Sequence, residues 1–266
     1  MNKFTRRILR QKKAQERKSY AMYNRVFRFQ IDTLTDSYVG DINSLIDSVP
    51  LIINQTSLDV DNATIRTWED CGRTFGYESR EDTLSNSKHI RGLRVKDATI
   101  EQWEETFTLN ATNYINQYVA EKTNKILATQ SKIITRQLES ILTQTIEEGL
   151  SIDETAELLS TDFKKWGYSM SKKRATFIAR TEIASASNWA QQNGAESIGM
   201  PLEKMWNNSG LQNVRSSHVA CQSQGWIDND LRFVNGLLRP GDQSTGNVGE
   251  FANCRCTAQF RVKLLA

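Results

Sequence analysis

Over most of the first 200 positions, apolar residues recur every three or four places, the period of amphipathic helices. Tyr23, Val26, Phe27, Ile31, Leu34, Tyr38, Ile42, Leu45 and Ile46 form one such stripe within Tyr20–Val49, expected to end at Pro50. A longer stripe runs from Ile100 through Trp103, Phe107, Ile115, Val119, Ile126, Ile134, Leu138 and Ile141, with Asp97 placed to cap it and Gly149 to stop it. Its spacing wavers between heptad and straight-helix periods and lacks regular flanking charge pairs, which predicts a helical bundle or a long hairpin rather than a coiled coil. Residues 53–97, rich in Asn, Asp, Ser and Arg, predict loops and short helices, with a helical patch around Thr64–Phe75. Ser151 and Glu154 form a capping box opening a short helix expected to bury Ile152, Ala156, Leu158 and Leu159. Ser171 is expected to begin a further helix, burying Ala175, Ile178, Ala179, Ile183, Ala186, Trp189 and Ala190 and running out near Gly194–Gly199 and Pro201.

After Pro201 the texture changes to glycines, small residues and short alternating runs. Cys254, Cys256, Ala258, Phe260, Val262 and Leu264 alternate with polar residues at period two, which predicts a strand over 254–264. The fold class expected is mainly α: a helical N-terminal body with long helices, plus a small C-terminal α+β domain. Three domains are expected in chain order: an arm at 1–20, a helical body at 21–170, and a C-terminal domain at 171–266. That last domain divides into a linking helix at about 172–198 and an α+β unit at about 200–266.

Composition narrows the class. The chain has 266 residues, 38% hydrophobic, and no apolar run of ~18 or more that would span a membrane. Three prolines and 14 glycines exclude collagen-like and Pro/Gly-rich disordered chains. Four cysteines are too few for a disulfide scaffold. The net charge of +3 hides a strong segregation. Residues 1–20 carry eight basic side chains and one acid, residues 21–170 carry 15 and 23, and residues 171–266 carry 11 and 7. The basic set Lys3, Arg6, Arg7, Arg10, Lys12, Lys13, Arg17 and Lys18 therefore reads as an arm for phosphate or an acidic protein surface. No apolar segment follows it as in a secretory signal.

Candidate chemistry concentrates in the last 50 residues. His218 and Cys221, followed by Cys254 and Cys256, supply four ligands of the types that hold tetrahedral zinc. On a strand, Cys254 and Cys256 would share a face ~6.6–6.8 Å apart, within reach of one metal and strained as a disulfide. Buried reduced thiols on an apolar strand face account for the same residues without a metal. Glu182 could pair with Arg215 or Lys204 as a structural ion pair, or with His218 as a general acid/base pair. The glycines of 222–250 form no phosphate-binding fingerprint, Pro240-Gly241-Asp242 reads as a turn, and isolated Cys71 and His89 read as packing and surface residues.

Taken in order, Ala179-Arg180-Thr181-Glu182, Asn188, Lys204-Met205-Trp206, Arg215-Ser216-Ser217-His218, Gln224-Gly225, Pro240-Gly241-Asp242 and Asn253-Cys254-Arg255-Cys256 form a set. It resembles the C-terminal domain of phage head-morphogenesis proteins, the Mu F-like minor head family, across about residues 171–266. The family pattern often has an acid before the Arg–His element, where Asn207-Asn208-Ser209-Gly210 stands here, and Asp-Gly after the His, where Ser223-Gln224-Gly225 stands. Cys221 falls where that pattern has an apolar residue. These departures count against a catalytic loop.

The resemblance implies a late, low-copy, non-enzymatic component of the virion head interior, present in host cytoplasm during assembly. Its implied partners are the portal, other head or scaffold proteins, and packaged double-stranded DNA. Arg180, Thr181, Glu182, Trp206, Arg215, Gly225, Asn253 and Arg255 are its structural motif residues. No cofactor is expected from it, and the His/Cys set leaves a structural zinc as the one candidate. The alternative from the residues alone is a metal-assisted hydrolase or nuclease using the His/Cys cluster, with Glu182 as base.

Overall fold

The computed structural model describes residues 3–87, 99–210 and 213–263. Nine α-helices and three strands are present among them: α1 (Lys3–Asp36), α2 (Ile42–Gln55), α3 (Ser57–Cys71), α4 (Tyr77–Ser87), α5 (Ile100–Glu148), α6 (Ile152–Leu158), α7 (Lys164–Glu196), β1 (Leu202–Asn207), α8 (Ser216–Ser223), β2 (Trp226–Asp228), α9 (Val248–Phe251) and β3 (Thr257–Val262). Single π-helical turns at Gly72–Gly76 and Leu159–Phe163 join α3 to α4 and α6 to α7. The fold is mainly helical with a small antiparallel sheet near the C-terminus, as the periodicity predicts. None of the described helices is long and apolar enough to cross a membrane. Asp97, His89 and Leu264 lie outside the described residues.

Compactness does not follow the sequential division at 20 and 170. One unit gathers Met1–Ser19, Arg66–Asn116 and Phe177–Ala266; the other gathers Tyr20–Ile65 and Gln117–Thr176. The reason is helix length: α1, α3, α5 and α7 each contribute turns to both units.

The second unit is all helix. Tyr23, Phe27, Ile31 and Leu34 of α1 are buried with Leu45, Val49 and Ile53 of α2 and with Ile126, Ile134 and Leu138 of α5. Pro50 does not end its helix. The break falls earlier, where Gly40 turns with φ 97° and Asp41 caps α2 by accepting from the Asn43 and Ser44 N–H groups. Pro50 sits inside α2 at the cost of one main-chain hydrogen bond, in a helix whose apolar face is buried. The 100–148 stripe is a single helix, so the hairpin alternative falls, and Gly149 stops it with φ 65°. The Ser151–Glu154 capping box forms as predicted. Ile152 is 63% exposed rather than buried, because this first helical position points outward while Thr155 and Leu159 take the inward positions. Ser171 is a buried interior residue of α7, which starts at Lys164.

Residues 57–87, of which 66–87 belong to the first unit, run as α3, a π turn and α4 without an intervening loop, contrary to the polar reading of that stretch. Gly76 lets neighbouring helices approach this stretch closely: a Cβ there would clash with the Phe107 ring, and a Cβ on Gly194 would clash with the Gly76 carbonyl oxygen. Trp103 Nε1 donates to the Gly194 oxygen at 2.9 Å, fixing α5 against α7 at this close approach. The sheet order is β2-β1-β3, with Leu202 opposite Val262 and Asn207 opposite Thr257. Ala195 of α7 packs with Leu202, Ala258, Phe260 and Val262 in one cluster. A second cluster, Trp206, Cys221, Phe233, Leu237, Phe251, Cys254 and Cys256 among others, holds the residues of chemical interest.

Candidate metal centre

Strand β3 begins at Thr257, so Cys254 and Cys256 precede it rather than lying on it. Among the described residues their segment has no ladder partner, because β1 ends at Asn207, opposite Thr257. Burial still alternates there, with Cys254 and Cys256 inside and Arg255 partly exposed. The segment is shaped instead by Asn253, a non-glycine residue at φ 57°. Its N–H donates to Thr181 Oγ1 at 3.0 Å, and Arg180 Nη1 donates to its Oδ1 at 2.8 Å. The Arg180-Thr181 pair on α7 thus pins the turn that delivers both cysteines.

The carbonyl oxygen following that turn is held from two sides. Cys256 O accepts from Asn188 Nδ2 at 3.2 Å and from Lys12 Nζ at 2.9 Å, while Asn188 Oδ1 accepts the Ala258 N–H at 3.0 Å. Glu16, the one acid among residues 1–20, reaches both Arg180 (3.7 Å) and Arg255 (3.9 Å). Arg215 Nη2 donates to Ala252 O at 2.8 Å, and Gly225 turns with φ 68° after α8.

His218 projects from the first turns of α8 and is buried. Its Nε2 faces Glu250, 3.0 Å from the main-chain oxygen and 3.3 Å from Oε2. Nε2–H donates there, which turns Nδ1 toward the cysteine sulfurs. Nδ1 lies 3.4 Å from Cys256 Sγ and 3.8 Å from Cys254 Sγ. The Trp206 ring covers the imidazole, with centroids 4.9 Å apart. The donor atoms of His218, Cys254 and Cys256 all lie within 4.8 Å of one another. Cys221 is buried in the same apolar cluster but is not one of this group, so the four-ligand set expected from sequence reduces to three.

The two sulfurs are electrostatically unequal. A hydrogen bond from Cys256, opposed by burial and reinforced by His218, draws the Cys254 thiol well below the ordinary range; Cys254 and burial push Cys256 up. Burial lowers the Lys12 ammonium to about 8, although the nearby sulfurs favour its charge. Burial also pushes the Cys71 and Cys221 thiols up, as packed cysteines should be.

Glu182 is fully buried, but His218 is partnered by Glu250 rather than by Glu182. The Glu182 carboxylate accepts from Trp68 Nε1 at 3.2 Å and from Gln243 Nε2 at 3.5 Å. Its two expected cations are engaged elsewhere, Arg215 as above and Lys204 with the Asn229 and Leu238 oxygens, each at 2.7 Å. The Pro240-Gly241-Asp242 turn forms: Gly241 has φ 76°, and its oxygen accepts from Ser185 Oγ at 2.7 Å.

The basic arm is the start of α1. Projected at ~100° per residue, Lys3, Arg6, Arg10, Lys13 and Arg17 fall within an arc of roughly 80°, and all five are at least partly exposed. Arg7 is tied to Asp82 at 2.5 Å, and Lys18 is exposed at the edge of the stripe, 3.9 Å from Asp70. Lys12 lies roughly 140° from the centre of that arc, is 3% exposed, and is withdrawn from any phosphate contact. Helical projection of the sequence could have separated it from the other seven. Glu250, by contrast, carried no sequence signal.

Comparison with protein-family models, with curated proteins and with solved structures finds no match for this chain.

Proposed function

We propose that this chain is a phage minor head protein, an internal head component that joins portal or scaffold surfaces during assembly and contacts packaged DNA through α1. The observation that carries the reading is the convergence of the ordered C-terminal set. Arg180 and Thr181 hold Asn253, Asn188 holds Cys256 and Ala258, and His218 meets both cysteines of Asn253-Cys254-Arg255-Cys256. Residues far apart in sequence form one interlocked cluster, as a domain-defining motif requires. The exposed basic face of α1 supports the DNA contact, since a row of cations at one-turn spacing can neutralise successive phosphates. The same reading places the protein in the head interior, and in host cytoplasm before assembly.

The decisive experiment is fractionation of particles from a host producing the protein, with immunodetection across procapsids, DNA-filled heads and free protein. Low-copy signal in procapsids and filled heads, together with co-purification of a portal protein, is the expected result. Protein confined to the free fraction overturns the reading.

A further inference from the structure

We propose that His218 Nδ1, Cys254 Sγ and Cys256 Sγ bind one zinc ion, which fastens α8 to the 253–256 turn. This inference does not depend on the head-protein reading.

The donor set has the shape of a metal site. Zinc bonds of ~2.0–2.1 Å to nitrogen and ~2.3 Å to sulfur, at a tetrahedral angle, place N and S about 3.6 Å apart. The two N–S separations here, 3.4 and 3.8 Å, straddle that value, and all three donors lie within 4.8 Å of one another. Packed core thiols have no need to converge on one imidazole nitrogen.

The ring orientation is also set for metal. Nε2 is committed to Glu250, with its main-chain oxygen at 3.0 Å and its carboxylate at 3.3 Å. An outer carboxylate or carbonyl on the far ring nitrogen orients a metal-bound histidine and raises its basicity. The turn is built independently of any ion, by Thr181 and Arg180 on Asn253 and by Asn188 and Lys12 on Cys256 O, so two of the three donors are preorganised. Two thiolates and an imidazole select zinc among common divalent ions, since calcium and magnesium take oxygen donors. Binding releases the thiol protons and leaves two thiolates balanced by the dication. Cys221 remains outside the coordination sphere, so these three side chains are the donors the fold brings together.

The test uses full-length protein without a polyhistidine tag, produced in zinc-supplemented medium and analysed for metal. About one zinc per chain is expected, and cobalt exchanged for it should give sulfur-to-cobalt charge-transfer bands with tetrahedral ligand-field absorption. Cys254→Ser and Cys256→Ser should each lose the zinc, whereas Cys221→Ser should keep it and leave the cobalt spectrum unchanged. Should a cysteine variant fail to fold, Glu250→Ala still reads the site, with zinc affinity expected to fall about 10–100-fold in chelator competition. Folded wild-type protein that stays metal-free and gives no cobalt–sulfur band overturns the proposal. So does a Cys221→Ser variant that loses its zinc, because the ligand set would then be different.

Discussion

Lys12 Nζ donates to the carbonyl oxygen of Cys256, 244 positions away in the chain. The hydrogen bond converts one member of a basic run into a structural tie between α1 and the cysteine turn. Lys12→Ala should destabilise the protein by about 1.5–3 kcal/mol, the range for a hydrogen bond to a charged group, whereas exposed Lys13→Ala should stay within about 0.5 kcal/mol. Urea unfolding of the two variants tests the contrast.

The opposite split is expected in DNA binding. Replacing Arg6, Arg10, Lys13 and Arg17 together by Gln should weaken binding to duplex DNA and reduce the log–log salt slope by up to about 3–4, near 0.9 for each phosphate no longer neutralised. A salt titration by fluorescence anisotropy reads this directly. An unchanged slope would remove α1 from the DNA interface.

Asn253 holds φ 57° through its own hydrogen bonds. Asn253→Ala removes the bond from Arg180 and keeps the left-handed strain, and should cost about 1–2 kcal/mol. Asn253→Gly removes the same bond but relieves the strain, so it should cost clearly less. Equal costs would show that backbone conformation is not what matters there.

Gly76 and Gly194 are both close-approach positions, but their neighbours differ. A Cβ at Gly76 meets the Phe107 side chain, and one at Gly194 meets the main-chain oxygen of Gly76. Gly76→Ala should cost about 1–3 kcal/mol and be partly rescued by Phe107→Leu, which makes room. Gly194→Ala should not be rescued by Phe107→Leu. Melting temperatures of the singles and doubles decide it.

Lys204 is buried in the first unit; burial, with Arg239 nearby, lowers its ammonium to about 8. Between that value and the ordinary 10.5, the unfolded chain holds a proton that the folded chain has released. This group therefore makes the protein more stable as pH rises from about 8 to 10.5. Lys204→Met should lessen the slope of that limb, to which Lys12 also contributes, measured by urea midpoints at successive pH values.

Much of the helical architecture was legible in the sequence because its signals are local. Gly149 stops α5 and Ser151 with Glu154 caps α6 through groups three residues apart, and the apolar period of Ile100–Glu148 belongs to one helix wherever it packs. The charge segregation was equally plain in the residue order. Local rules failed where packing outweighed them: Pro50 stays helical in α2, and the polar run at 57–87 continues as helix around glycines that admit α5 and α7.

For the candidate centre, the sequence by itself supplied the donor types, the one-turn spacing of His218 and Cys221, and the inward alternation of Cys254 and Cys256. Only the tertiary structure decided which donors converge. It excluded Cys221 from the group, placed Glu250 rather than Glu182 at His218, and ended the β1 ladder before the cysteines. It also turned Lys12 inward to Cys256 O while leaving the basic stripe outside. The physical reason is that period and composition determine which face of an element is apolar, whereas a hydrogen-bond or metal donor needs its partner within about 3–4 Å, and that depends on which faces the whole fold brings together.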